Sequence, residues 1–250
     1  MDVYVLGSGV GAPNVNRGYP GLLVDCGTER VLIDPGPGSV RQMWKLAFSY
    51  TLIDSVVITH FHPDHCLDVV SFLFACKYPL NRREKGLSII GPEGLKKFYG
   101  NITETFGDTI MPEFFELHLK EVKEDTVRIG RARLTVKPVE HSDASIGIRY
   151  VDNNGGILCY SGDTDYCANI VELARGADLL ILECSFPDEG KVKGHLTPSY
   201  AGRIASEAKA KRLLLTHLYP VCDEADIPAQ CKKEFDGEVA VASDLMKVTI

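Results

Sequence analysis

The chain has no apolar run near the roughly 20 residues that span a bilayer, so no membrane-crossing helix and no membrane partner are expected. Met1-Asp2-Val3-Tyr4 shows no basic region followed by a hydrophobic core and a small-residue cleavage site, and a cytoplasmic location is expected. There is no C-x-x-C pair among the eight cysteines (Cys26, Cys66, Cys76, Cys159, Cys167, Cys184, Cys222 and Cys231). That argues against a zinc ribbon or a thioredoxin-type motif and leaves the thiols as small packing groups in a reducing compartment. Nor is there an excess of positive charge. A formal charge of −7 disfavours a protein whose main partner is a long polyanion, because such affinity comes from clustered Lys and Arg.

What is present is a globular composition, 45% hydrophobic and 24% charged, over 250 residues. This length supports one large α/β domain, residues 1–250.

Its densest chemistry is Thr59-His60-Phe61-His62-Pro63-Asp64-His65, which follows the apolar run Val56-Val57-Ile58. His60 and His62 stand two apart, so in an extended segment both rings leave on one side and can grip one ion. Asp64 and His65 follow a proline and precede an apolar stretch, Leu67 to Phe74, that reads as a helix; the turn can aim them at a second ion. Neutral imidazole with carboxylate suits zinc best among common ions.

Taken in order, Val3 to Leu6 is a short strand running into Gly7-Ser8-Gly9-Val10-Gly11. A dinucleotide-binding run would open a helix next, but Ala12, Pro13 and Asn14 follow. The segment is therefore read as a glycine-rich loop that lets backbone pass close to a ligand or another loop. Leu22–Val24 and Val31–Ile33 flank the hairpin signal Gly27-Thr28. Ser39 is placed to cap a helix running to about Ala47, and Asn81 to Lys85 reads as a solvated charged connection. Leu87 to Ile90 is a buried-type strand, Pro92 sits in the first turn of a following helix, and His118 is a surface residue of a later strand. Polar residues then recur at the ends of apolar strands: His60, His141, Asp163, Glu183 and His217. That is where α/β folds place chemistry.

The motif H-x-H-x-D-H after a hydrophobic strand resembles the signature of the metallo-beta-lactamase fold superfamily, and the rest of the chain looks like its ribonuclease Z-like phosphodiesterase branch. The resemblance implies an αββα sandwich of two mixed β-sheets flanked by helices. It implies a first zinc held by His60, His62 and His141, a second by Asp64, His65 and His217, and an Asp163 carboxylate bridging both, with Mn2+ or Fe as substitutes. Asp34 resembles the acid that orients a metal-binding histidine in this family. Arg17 falls in a loop similar to one at the family's site rim. Glu183-Cys184-Ser185-Phe186 and Gly194-His195-Leu196-Thr197 resemble the branch's E-A-T-F and H-x-T motifs, which makes Glu183 and His195, with Asp64, the expected catalytic residues.

Two ions about 3.5–4 Å apart share a water and lower its pKa from about 15.7 toward 7, so the resemblance implies hydrolysis through a metal-bridging hydroxide. Members that process tRNA carry a long flexible insertion between the positions matched by His141 and Asp163. Here that gap reads as a strand, the tight turn Asn153-Asn154-Gly155-Gly156, and another strand. The expected substrate is accordingly a small phosphodiester such as a cyclic nucleotide or cyclic phosphate, with RNA possible but not favoured. Lys191 and Lys193 are open either to phosphate contact or to solvent. The alternatives are a tRNA 3′ endonuclease, a carbon-ester, lactone, thioester or β-lactam hydrolase, and, last, a non-enzymatic metal-binding protein. The family often dimerises, so a homodimer is also expected.

Overall fold

The computed structural model describes residues 1–78 and 81–250. One sheet contains β1 (Asp2–Gly7), β2 (Gly21–Asp25), β3 (Arg30–Ile33), β4 (Ser55–Val57), β5 (Leu87–Gly91) and β6 (Leu117–Glu121), with β14 (Lys247–Thr249) on the edge beside β1. The other contains β7 (Asp125–Ile129), β8 (Ala132–Pro138), β9 (Ile146–Val151), β10 (Ile157–Tyr160), β11 (Leu179–Glu183), β12 (Arg212–Thr216) and β13 (Glu238–Val241), in reverse chain order. Each sheet is mixed. The pairs from β14 to β3 are antiparallel and those from β3 to β6 parallel, while β7 to β10 are antiparallel and β10 to β13 parallel.

Helices α1 (Ser39–Lys45), α2 (Pro63–Cys66), α3 (Asp68–Cys76) and α4 (Leu95–Phe106) belong to the first half, and α5 (Ala168–Ala174), α6 (Pro198–Ala208) and α7 (Ile227–Cys231) to the second. Three apolar clusters separate the resulting four layers, and β11 shows why. Leu179 and Ile181 join the cluster between the sheets, while Leu180 and Leu182 join the cluster under α5 and α6. A strand covered on both faces must be apolar at every position, which is why Leu179 to Leu182 is an unbroken run. The αββα sandwich expected from the motifs is the observed fold. No helix among the described residues is long and apolar enough to cross a membrane.

The helix expected over Leu67 to Phe74 is found as α3, with Leu67 as its cap and Asp68 as its first residue; the Asp68 amide bonds the Pro35 carbonyl (3.0 Å), which leaves α2 ahead of it as a separate turn carrying Asp64 and His65. Three local expectations need correction. Ser39 does not cap α1. Gly38, in left-handed conformation, is the cap, Ser39 is the first helical residue, and the Asp68 carboxylate accepts from the Val40 amide at 2.7 Å. Pro92 lies ahead of α4, whose cap is Gly94.

The third concerns Arg83, expected in a solvated connection and found fully buried. Its guanidinium donates to the carbonyls of Tyr50, Thr51, Ile53 and Gly86 at 2.5–3.2 Å. Loop carbonyls with no strand partner need a donor when buried, and Arg supplies several from one rigid group.

Candidate metal centre

The site lies at one edge of the sandwich, where chain leaves β3, β4, β8, β10, β11 and β12. Asp34 follows β3, His60 follows β4, His141 follows β8, Asp163 follows β10, Glu183 ends β11 and His217 follows β12. The two sheets come together here through Ile146 N–H donating to the Thr59 carbonyl at 3.0 Å. Gly162 makes that approach possible. Its φ is +58°, and a Cβ there would stand 2.7 Å from Thr59 Oγ1, so the glycine of Ser161-Gly162-Asp163 is a steric requirement. Gly36 has a similar role, since its Cβ would stand 1.9 Å from the Asp64 carbonyl oxygen.

All seven side chains expected to hold metal converge. His60, His62, His141 and Asp163 offer donor atoms within 4.8 Å of one another, as do Asp64, His65 and His217. Asp163 divides between the groups. Its Oδ2 is 3.6 Å from Nε2 of both His60 and His141, and its Oδ1 is 3.2 Å from His65 Nε2 and 3.3 Å from His217 Nε2. Asp64 Oδ2 stands 3.9 Å from His65 Nε2 and 3.7 Å from His217 Nε2.

His62 Nδ1 and His141 Nε2 are 3.2 Å apart, as are the Nε2 atoms of His65 and His217. Donors on a tetrahedral zinc with bonds of about 2.0–2.1 Å stand about 3.3 Å apart. His60 Nε2 and Asp163 Oδ1 are buried without any hydrogen-bond partner among the described residues. Buried polar atoms are normally paired, so each of these two fits a cation beside it, one in each group of donors. The His/Asp cluster is suited to binding metal ions.

Electrostatics agree at His60, His62, Asp163 and Asp64, whereas at the buried His65 the downward effect of burial is outweighed by Asp163 and Asp34, which raise it well above its ordinary value. Burial and then the neighbouring His65 push the His60 imidazole down to about 2, keeping it neutral and able to donate a lone pair. Burial also lowers His62, with His141 adding to it. Burial would raise Asp163, but His217 and His65 outweigh it and hold the carboxylate well below the usual range. For Asp64 burial again acts upward, and the hydrogen bond and charge of His217 with the charge of His65 bring it to about 2.

A second layer orients these groups. Asp34 accepts from the Thr59 amide and hydroxyl, each at 2.7 Å, from His65 Nδ1 at 2.9 Å and from the Tyr160 hydroxyl at 3.0 Å. His65 Nε2 is thereby turned toward Asp163, as expected of Asp34 from the motif. Burial, then Asp34 and Asp163, push the Tyr160 hydroxyl well up, so it remains a neutral donor. His141 Nδ1 donates to the Gly194 carbonyl at 2.9 Å. Asp34 (φ 47°) and His217 (φ 57°) both adopt the left-handed conformation, costing about 1–2 kcal/mol per residue; strain of this kind collects at functional sites.

Glu183 is fully buried and accepts four hydrogen bonds. Oε1 takes the Thr164 amide (2.8 Å) and His195 Nδ1 (2.9 Å), and Oε2 takes the Ser185 hydroxyl (2.7 Å) and the Leu196 amide (3.1 Å). Ser185 Oγ in turn lies 2.9 Å from His217 Nδ1. The donor order is therefore His217 Nδ1–H to Ser185, and the Ser185 hydroxyl to Glu183. A His195 nitrogen lies within 4.8 Å of donor atoms of Asp163 and His217, and burial acting downward on this ring is outweighed by Glu183, which raises it.

Other candidates are placed differently. Arg17 is held by Asp223 (2.8 Å), Ser8 Oγ (3.0 Å) and the Ala242 carbonyl (2.8 Å). The glycine-rich loop before it does pass the cluster, and a Cβ on Gly11 would stand 3.4 Å from Asp64 Oδ2. Lys191 is paired with Asp165 at 2.8 Å, while Lys193 lines a pocket of about 610 Å³ with His141, Tyr166, Cys167 and Gly194. His118 is exposed beside Glu116. Sequence reasoning missed Ser185 and Tyr160. Ser185 stood inside a quoted motif without a role, and nothing local links Tyr160 to an acid 126 residues away.

The chain belongs to the beta-lactamase superfamily: the family model described as the beta-lactamase superfamily domain matches residues 29–218. It is 32% identical over 243 residues to the uncharacterised protein Rv1339 of Mycobacterium tuberculosis, covering 95% of this chain and 87% of that one. Among solved structures it resembles the metallo-beta-lactamase fold protein YhfI of Bacillus subtilis (TM-score 0.85, 26% identity, 99% of both chains). It also resembles the short form of human tRNase Z (TM-score 0.81, 26% identity, 100% of this chain and 99% of that one). Ribonuclease Z of Methanothermobacter thermautotrophicus aligns at 27% identity over 302 positions, covering 100% of this chain and 97% of that one. This chain has 250 residues, so that ribonuclease carries insertions relative to it. The chain is a hydrolase-family member with a metal-binding His/Asp cluster and ribonuclease Z-like relatives.

Proposed function

We propose that residues 1–250 form one hydrolase domain, a dinuclear metal-dependent phosphodiesterase acting on a small phosphodiester such as a cyclic nucleotide or cyclic phosphate. His60, His62, His141 and Asp163 Oδ2 would hold one ion, and Asp64, His65, His217 and Asp163 Oδ1 the other. Imidazole and carboxylate donors favour zinc, with Mn2+ or Fe as substitutes. Two such ions supply a hydroxide at neutral pH and positive charge for the oxygens of a phosphodiester.

The chain's own groups do the rest. Asp34, Ser185 and the Gly194 carbonyl fix the tautomers of His65, His217 and His141. His195, its Nδ1 turned to Glu183, has Nε2 available to give a proton to the departing alkoxide, a role worth about 10²- to 10⁴-fold. The observation that carries the phosphodiesterase reading is the 2.9 Å Glu183–His195 pair standing within donor reach of Asp163 and His217. Hydrolysis of an activated carbonyl ester has little need of such an acid.

Cleavage of tRNA is the second reading, favoured by the likeness to tRNase Z. Against it, the segment between His141 and Asp163 is filled by β9, a turn held by the Asp152 side chain, and β10. No arm to hold tRNA is present there. The eight free thiols suit a reducing cytoplasm. A homodimer would meet through the exposed apolar face where Trp44, Phe74 and Tyr78 stand beside a groove of about 590 Å³ between α1 and α3. Sedimentation of Trp44→Glu against the parent protein tests this.

The test of function is a substrate panel on metal-analysed protein: bis(p-nitrophenyl) phosphate, a cyclic nucleotide, a tRNA precursor, a lactone and a chromogenic cephalosporin. Chelator-sensitive cleavage of the first two supports the proposal. Cleavage of the lactone or cephalosporin alone would replace it with the carbon-ester class, and exclusive cleavage of the tRNA precursor with the endonuclease.

A further inference from the structure

A run of rings leads away from the candidate metal centre on its His195 side. His217 stacks on His195 (centroids 5.8 Å, planes 14° apart), Phe186 meets His195 edge to face (6.1 Å, 71°), and Phe186 stacks on Tyr219 (4.5 Å, 19°). Phe186 and Tyr219 belong to the loops that leave the adjacent parallel strands β11 and β12, tied together by the Tyr219 amide donating to the Ser185 carbonyl at 3.3 Å. Both rings are only half-buried. Core aromatics of this chain such as Tyr150 and Phe72 are covered completely, whereas this pair, next to His195, keeps surface that the fold does not cover.

The Tyr219 hydroxyl, like those of Tyr19, Tyr99 and Tyr200, has no hydrogen-bond partner among the described residues, whereas those of Tyr50, Tyr150, Tyr160 and Tyr166 have one.

We propose that Phe186 and Tyr219 form a stacking subsite for an aromatic heterocycle of the substrate, so that the phosphodiester this centre accepts is a nucleoside ester rather than the cyclic phosphate of a plain sugar or polyol. The inference rests on the phosphodiesterase reading and narrows it. A nucleobase offers a flat π-face that aromatic side chains bind whatever its sequence of donors and acceptors. Its phosphate, one ribose away, reaches the metal-binding groups while the base lies along the Phe186–Tyr219 rings. The unpartnered Tyr219 hydroxyl adds a donor to a ribose or phosphate oxygen. A sugar phosphate without a base would leave the rings with nothing to cover them.

The experiment compares inhibition of bis(p-nitrophenyl) phosphate hydrolysis by adenosine 5′-monophosphate and by ribose 5-phosphate, which differ only in the base. The parent protein is expected to bind the nucleotide about tenfold or more tightly than the sugar phosphate. Phe186→Leu and Tyr219→Leu are each expected to shrink that ratio severalfold, and Tyr219→Phe, which keeps the ring, to preserve most of it. Equal inhibition by the two compounds in the parent protein, or an unaltered ratio in both leucine variants, would overturn the subsite while leaving the phosphodiesterase reading standing. Failure of the parent protein to hydrolyse the phosphodiester, with lactone turnover intact, would overturn the reading and the subsite together.

Discussion

Ser185→Ala removes a single hydroxyl that touches neither substrate nor metal in this account, yet its effect should be read at the metals. The hydroxyl stands between His217 Nδ1 (2.9 Å) and Glu183 Oε2 (2.7 Å). Without it the His217 ring loses the acceptor that holds its proton on Nδ1 and leaves Nε2 free. Loss of such an outer partner typically costs about 10- to 100-fold in metal affinity, or about 1.4–2.7 kcal/mol. Glu183 would keep its bonds from the Thr164 and Leu196 amides and from His195, so the fold should survive. The lost charge-assisted hydrogen bond costs about 1–3 kcal/mol, against a total of about 5–15 kcal/mol for a typical domain. Competition against a chromophoric chelator measures the outcome: one metal equivalent should weaken by about 10- to 100-fold, the other much less, and Ser185→Thr should restore most of the loss. Both equivalents remaining within about twofold of the parent protein would refute the reasoning, since a tenfold change is only about 1.4 kcal/mol.

Asp163→Ala should lower occupancy of both metal positions together with activity, because its two oxygens face different histidine sets; full occupancy by elemental analysis would show that the carboxylate bridges nothing. His195→Ala should leave both metals bound and slow esters with poor leaving groups far more than activated aryl esters; equal slowing on both would remove the proton-donor role. Arg83→Met should strand the carbonyls that the guanidinium serves and cost more than about 3 kcal/mol, lowering the melting temperature by roughly 6–12 °C at this chain length. A shift of under about 2 °C would mean that those carbonyls find other donors.

What could be read in the sequence was whatever is encoded locally. His60 and His62 follow an apolar strand at a two-residue spacing, and their rings do lie side by side, with centroids 4.6 Å apart. Asp163, Glu183 and His217 ended apolar runs that proved to be adjacent strands of one sheet. What could not be read depends on contacts between distant segments. Arg83 sits in a charged stretch, and only the fold shows that loop carbonyls from residues 50 to 53 surround it. The first-turn amide of Val40 in α1 is met by the Asp68 carboxylate of α3, 28 residues away in sequence, and not by Ser39. Ser185 was visible as a motif position, but its bond to His217 spans 32 residues and appears only when β11 and β12 lie side by side.

Metal titration of the stripped protein, followed by hydrolysis of bis(p-nitrophenyl) phosphate, distinguishes a two-ion hydrolytic centre from a one-ion centre or an idle one. Activity is expected to rise through the second equivalent of Zn2+ and then level, because the Asp163 carboxylate divides between two sets of donors and both are needed. Full activity at one equivalent, or activity that persists in excess chelator, would contradict the two-ion centre.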